Sequence, residues 1–284
     1  MRKRGFTVVE LLVVIGIIAV LIGIFVPVLG KARVAARRVK SSSDIKQLLT
    51  AYLQYSIDNR GSLLLGYPEA TVNGAPINAS LRDGTPIGSV VAQRWPWRLI
   101  RYVADIWQVV YHDGPVPVGA SGDYLKSVYP TISLNTVYLG GHSGPYYMGY
   151  VDASGTTTGD RPNIGKHVMF KASEVRTPAQ QLVFCEVRRT FSVGDLNTDF
   201  DGYFYAQPPR GNFRSDNTLW TTNAEGKAVP TNGAPAGGLP NGRFGKTTLV
   251  GFFDGHVSQL TVRNLEDIRI WNSRATRPDQ NFKP

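Results

Sequence analysis

Cysteine, histidine and methionine are scarce in this chain, with one, four and three copies among 284 residues. The single Cys185 excludes an intrachain disulfide and a multi-cysteine zinc site. It sits in the apolar run Leu182–Cys185, a setting that predicts a buried, inert thiol. The histidines, His112, His142, His167 and His256, are scattered, and no H-E-x-x-H joins any two of them. Gly141-His142-Ser143-Gly144 falls one residue short of a nucleophile elbow. Gly245-Lys246-Thr247 lacks the upstream glycine of a phosphate loop, since Pro240 holds that place. With no paired carboxylates and no triad, the sequence points to no enzyme.

Acidic residues are also in deficit, 21 against 31 Lys and Arg, giving a formal net charge of +10. Location decides what that charge means. Residues 1–40 hold eight Lys or Arg against one Glu, leaving 23 basic and 20 acidic groups over the remaining 244 residues. The globular part therefore has no strong polyanion signature, and no nucleic-acid partner is expected.

What is present is a long apolar run. Arg2, Lys3 and Arg4 form a basic head, and Glu10 is the only charge between Arg4 and Lys31. From Leu11 to Gly30 twenty uncharged residues follow, fifteen of them Leu, Ile, Val or Phe. That is long enough to cross a bilayer as a helix. The apolar side chains together favour insertion by on the order of 6 kcal/mol, against ~3 kcal/mol for one acid in the span. The segment inserts.

A secretory signal has a shorter apolar region with a small-residue cleavage site behind it. Here the small residue at a natural junction, Gly5, precedes the apolar run. The stretch Lys3-Arg4-Gly5-Phe6-Thr7-Val8-Val9-Glu10-Leu11-Leu12 closely resembles the class III signal of type IV pilins and type II secretion pseudopilins. The resemblance implies a prepilin peptidase that cuts after Gly5 and N-methylates Phe6. It also implies that Glu10, the fifth mature residue, pairs during assembly with the amine exposed at Phe6, on a neighbouring subunit. Its other implied partners are copies of itself, other pilin-like subunits and an inner-membrane assembly platform.

No helix breaker follows until Gly61, and Ile45, Leu48, Leu49, Tyr52 and Ser56 recur at helical spacing. The reading is a leader at 1–5, a transmembrane half-helix at 6–30, an amphipathic half at 31–60 and a globular domain at 61–284. Pro27 predicts a kink. Gly16, Gly23 and Gly30 recur every seven residues, spacing that suits close helix approach in lipid and also ordinary membrane-helix composition. Lys31, Arg33, Arg37, Arg38 and Lys40 outnumber the three basic residues before the run, against the positive-inside rule. The peptidase-site resemblance overrides this and places the N-terminus in the cytoplasm and the domain outside.

Residues 60–95 are rich in turn signals. A helix is predicted from Pro96, with Leu99, Tyr102, Val103, Ile106, Val109 and Val110 inward, and Trp95, Trp97 and Trp107 read as core more than as a binding shelf. Strands are predicted at Thr131–Leu139, His167–Phe170 and Gln181–Val187, and a long mobile loop over 224–245. Thr247–Phe253 and His256–Val262, joined by Asp254-Gly255, read as a two-residue hairpin. A short helix follows, capped by Asn264, with Leu265, Ile268 and Trp271 inward. The fold class is α+β: a long N-terminal helix packed on an antiparallel sheet domain with long loops, as in pilins.

Two further patterns stand out. Residues 244–271 resemble, in part, the C-terminal motif of large prepilin-like proteins of the planctomycete type, a His followed by nine residues and Asp-Gly. Asp254-Gly255-His256-Val257 match, but Phe244 stands where the His belongs. Asp195, Asn197, Asp199 and Asp201 place oxygens at alternate positions before Gly202, which suits calcium, although Pro208 stands where an EF-hand has its bidentate Glu. The residues leave the choice open between a cation loop and a solvated acidic turn. The favoured function is a filament subunit, and the alternative is a membrane-anchored extracytoplasmic binding protein or adhesin.

Overall fold

The computed structural model describes residues 7–68, 70–72, 75–111, 122–142, 150–151, 157–158, 167–193, 196–210, 218–231 and 237–280. The chain divides into two units, residues 1–40 and 41–284. One helix, α1 (Val8–Asp58), runs through the first and begins the second, with Pro27 inside it and no break there. A proline in mid-helix removes one backbone donor but does not end this helix. The end comes where the sequence placed it. Arg60 and Gly61 have φ of 55° and 80°. Gly61 N donates to Ser56 O and Arg60 N to Ile57 O, a Schellman closure that satisfies the last carbonyls.

In the second unit the helix residues Ile45, Leu48, Leu49 and Tyr52 are fully or almost fully buried. They pack on a sheet whose central strand is β2 (Leu182–Val193). On one side β2 pairs with β1 (Ile132–Leu134), matching Ser133 to Cys185. On the other it pairs with β5 (Thr247–Phe252), matching Gly251 to Phe184. β5 continues to β6 (Val257–Thr261). Farther along, β2 forms a hairpin with β3 (Leu196–Phe200) and meets β4 (Leu239–Pro240) at Val187 and Arg188. All these pairings are antiparallel. The α+β expectation holds.

Gly251 shows why helix and sheet can meet so closely. A Cβ there would lie 2.6 Å from Ile45 Cγ2 and 2.9 Å from Leu49 Cδ1. Ile45 is β-branched on a helix and has little rotamer freedom with which to retreat. Gly251→Ala is therefore expected to cost about 1–3 kcal/mol through overpacking, measured by denaturant unfolding beside wild type. An unchanged midpoint would mean that the helix slides on the sheet at no cost.

Several sequence expectations need adjusting. The strand predicted at Thr131–Leu139 stops at Leu134, and residues 136–138 turn. His167–Phe170 supplies one isolated bridge, Met169 to Leu139. The helix predicted from Pro96 is two short ones, α2 (Trp95–Leu99) and α3 (Ile106–Val110). Asp105 starts the second by accepting from Trp107 N and Gln108 N at 3.1 and 3.3 Å. Trp95 and Trp97 are buried as core, and the Trp95 indole donates to Phe204 O at 2.6 Å. The loop expected over 224–245 contains Ala228–Pro230, which pairs with Trp220–Thr222, and also β4.

At the β5–β6 turn the loop is three residues, not two. Gly255 N donates to Phe252 O, Phe252 N to His256 O, and Gly255 has φ 90°. This is a type I turn completed by a left-handed glycine, in place of a primed turn. Thr261, not Asn264, caps the following turn. Asn264 N donates to the Thr261 hydroxyl at 3.2 Å, and Asn264 Oδ1 accepts from Thr261 N at 3.1 Å. Leu265, Ile268 and Trp271 are fully buried, as their spacing predicts.

Candidate functional site: the N-terminal helix and its base

Thr7-Val8-Val9-Glu10 forms a complete capping box. Thr7 N and Oγ1 donate to Glu10 Oε2 at 2.8 and 2.9 Å, and Glu10 N donates to Thr7 Oγ1 at 3.3 Å. Two donors at the helix start, which lipid could not satisfy, are thus paired within the chain. The acid also lies in the first turn, where the helix dipole favours a negative charge. The S/T-x-x-E pattern before an apolar run was legible, although the pilin-type reading assigned Glu10 to assembly alone. Gly5 and Phe6 lie outside the described residues.

Beyond the cap, every apolar side chain from Val8 to Leu29 is exposed, Val8 by 80 % and Phe25 by 66 %. So continuous an apolar surface needs a cover of lipid or other apolar helices. The helix is long and apolar enough to cross a membrane. Cβ atoms added at Gly16, Gly23 or Gly30 would meet nothing within 4 Å, so these positions can admit another backbone closely.

At the start of the second unit, a carboxylate that the sequence reading missed joins helix to sheet. Glu186 of β2 is fully buried. Its Oε1 accepts from Ser41 Oγ at 2.6 Å and its Oε2 from Leu249 N at 3.3 Å. A buried carboxylate is tolerated only when such donors replace water. The available signal was a Glu in register with Leu182 and Phe184 on an otherwise apolar strand face.

The four oxygen-bearing residues of the calcium reading are not gathered in a described loop. Asp195 lies outside the described residues, and Asn197 and Asp199 belong to the β3 ladder, paired with Ser192 and Thr190. Asp201 is exposed, and Arg243 Nη2 and Asn241 Nδ2 each lie 3.5 Å from its Oδ1. Among the described residues no group of three or more His, Cys, Asp or Glu could hold a metal ion.

The other singled-out residues have structural roles. Cys185 is buried, and burial beside Glu186 pushes its thiol well above the usual range. His142 is driven down to about 3 by burial, so its ring is neutral. At the hairpin tip, His256 Nδ1 lies 2.6 Å from Asp254 Oδ1, with its ring stacked on Phe252 at 4.4 Å. Partial burial opposes the charge on Asp254, but hydrogen bonds from the His256 backbone and ring, with its charge, outweigh it and hold the carboxyl below the ordinary aspartate range. Phe244, where the related motif has His, is buried in the core.

Residues 1–26 match the family model of the prokaryotic N-terminal methylation motif. With the apolar helix that follows, this identifies a prepilin-type signal and supports a processed protein of the type IV pilin or pseudopilin kind. No curated protein and no solved structure matches the chain.

Proposed function

We infer that this chain is a structural subunit of a pilus-like filament, a type II secretion pseudopilus or a type IV pilus. Prepilin peptidase cleaves it after Gly5 and methylates Phe6, with the N-terminus in the cytoplasm and residues 61–284 outside. Assembly platform and sister subunits then draw the apolar helices out of the bilayer into a head-to-tail, non-closing array. The observation that carries this reading is the match over residues 1–26 to the methylation motif, continuous with an uncovered apolar helix. Shearing cells that carry the assembly machinery is expected to release the cleaved chain as filaments, and deleting the assembly ATPase to abolish them. Cleaved chain found solely in membranes would favour an anchored binding module. One observation speaks for that second reading: the capping box gives Glu10 a use within a single chain.

Calcium binding by Asp195, Asn197, Asp199 and Asp201 is a subordinate part of the proposal, carried by their spacing in the sequence and not by the ladder. Calcium at ~100-fold excess over Kd is expected to stabilise the protein by about 2.7 kcal/mol, read as a rise in Tm. Asp199→Ala is expected to remove that rise. A Tm indifferent to calcium and chelator would make the segment an ordinary hairpin.

A further inference from the structure

Arg94 is a buried cation with no anion beside it among the described residues. It sits just before α2 and is only 5 % exposed. Its Nε and Nη1 are buried and, among the described residues, have no hydrogen-bond partner. No carboxylate among the described residues forms an ion pair with it. What surrounds it is aromatic. Its guanidinium carbon lies 4.2 Å from the ring centre of Tyr124, 5.4 Å from Phe204 and 6.0 Å from Tyr67. Next to Phe204 stands Tyr203, at 4.8 Å between ring centres, and Arg189 covers that ring at 4.8 Å.

The rings arrive from separate parts of the chain: Tyr67 after α1, Tyr124 on the helix Gly122–Val128, and Tyr203 and Phe204 after β3. Ring faces attract a guanidinium, yet they do not accept its N–H bonds in the plane where those bonds point. A buried donor left unpaired is costly, and a buried charge more so. His142, stacked near Phe204, adds no second positive charge, because burial keeps it neutral. Glu186, also buried, has a donor on each of its two oxygens, whereas Tyr52 Oη, Trp97 Nε1 and Thr222 Oγ1 share Arg94's lack of a partner among the described residues but carry no charge.

We propose that Arg94 and the rings of Tyr67, Tyr124 and Tyr203 form a binding site for a uronate unit of an acidic glycan. The guanidinium takes the carboxylate, and the tyrosine rings take the sugar. The planar guanidinium of Arg94 offers paired N–H donors that match the two oxygens of a carboxylate. Tyrosine gives an apolar face and a hydroxyl tip, which suits a ring bearing both C–H and O–H groups. Tyr124, 45 % exposed, marks the side open to solvent. The site is independent of filament assembly and would serve a filament or an anchored module alike.

The test uses the full chain in detergent micelles, titrated calorimetrically with oligogalacturonate, its methyl ester and pentaglutamate. Oligogalacturonate is expected to bind, and the ester to bind about tenfold or more weakly, since it lacks the charge-assisted bond. Arg94→Gln is expected to produce the same loss. Arg94→Lys keeps the charge without the planar fork and should retain partial affinity. Tyr124→Ala, at an exposed position, should weaken binding severalfold with Tm unchanged, and it carries the test if the Gln variant does not fold. The proposal is overturned if wild type does not bind oligogalacturonate, or if ester and acid bind alike. It is equally overturned if Arg94→Gln or Tyr124→Ala folds and binds as wild type, or if pentaglutamate binds as tightly as the glycan.

Discussion

Gly5→Asp is expected to leave the chain at full mass in the membrane fraction, whereas wild type loses residues 1–5 and carries one added methyl group on Phe6. The effect should be close to all or none. A peptidase acting at the membrane surface must bring its machinery against the backbone on both sides of the bond it cuts, and glycine leaves that approach clear. Aspartate adds a side chain at the cut and a negative charge directly behind Arg2, Lys3 and Arg4. It does not touch insertion, because the apolar residues between Leu11 and Gly30 favour the bilayer by on the order of 6 kcal/mol on their own. The variant should therefore be present and membrane-bound but uncleaved, which separates a processing defect from an insertion defect. Intact-mass measurement on purified protein reads both states. A wild-type mature form beginning at Met1, or beyond Lys31, would remove the pilin-type reading.

The sequence made the helix legible almost to the residue, because two strong signals agreed. Ile45, Leu48, Leu49 and Tyr52 mark one buried face, and the first residues unable to continue are Arg60 and Gly61. The β5–β6 hairpin and the buried Leu265, Ile268 and Trp271 were legible for the same reason, since local periodicity and turn chemistry point one way. The β3 segment was not. Alternating Asx residues have a period of two, and that period is shared by a strand with one polar edge and by a loop presenting oxygens to a cation. Pairing with β2 makes Leu196–Phe200 a strand, and pairing partners are not written locally. Glu186 and Arg94 were hidden more deeply. A charged residue inside an apolar segment reads as the end of burial, and long-range neighbours alone reveal the donors or rings that keep it inside. Of the N-terminal site, Glu10 was recognised for its distance from Gly5, while its bond to Thr7 went unread although both residues were in view.

That bond changes how Glu10 must be tested. Replacing it with Leu removes both the charge and the capping box, and losing a cap alone can cost ~0.5–2 kcal/mol. A failed Leu variant would therefore not distinguish an assembly role from a helix with a frayed start. Glu10→Gln separates them, because glutamine can accept from Thr7 N and Oγ1 as glutamate does but carries no charge. In the filament reading, the carboxylate pairs with the positive amine that cleavage exposes at Phe6 of a neighbouring subunit. Two unit charges ~4 Å apart attract by about 4 kcal/mol at an effective dielectric near 20, and the contact repeats at every subunit of the array. It would also fix axial register between apolar helices that otherwise slide past one another. Both variants are expected to insert and to be cleaved and methylated normally, as judged by mass. Both are expected to be absent from the sheared fraction on immunoblot, in cells where wild type is abundant there. If Gln assembles like wild type and Leu does not, Glu10 serves the helix cap and the pairing is wrong. If both assemble, neither the cap nor the charge pair is needed for assembly, and the pairing of Glu10 with the Phe6 amine is wrong.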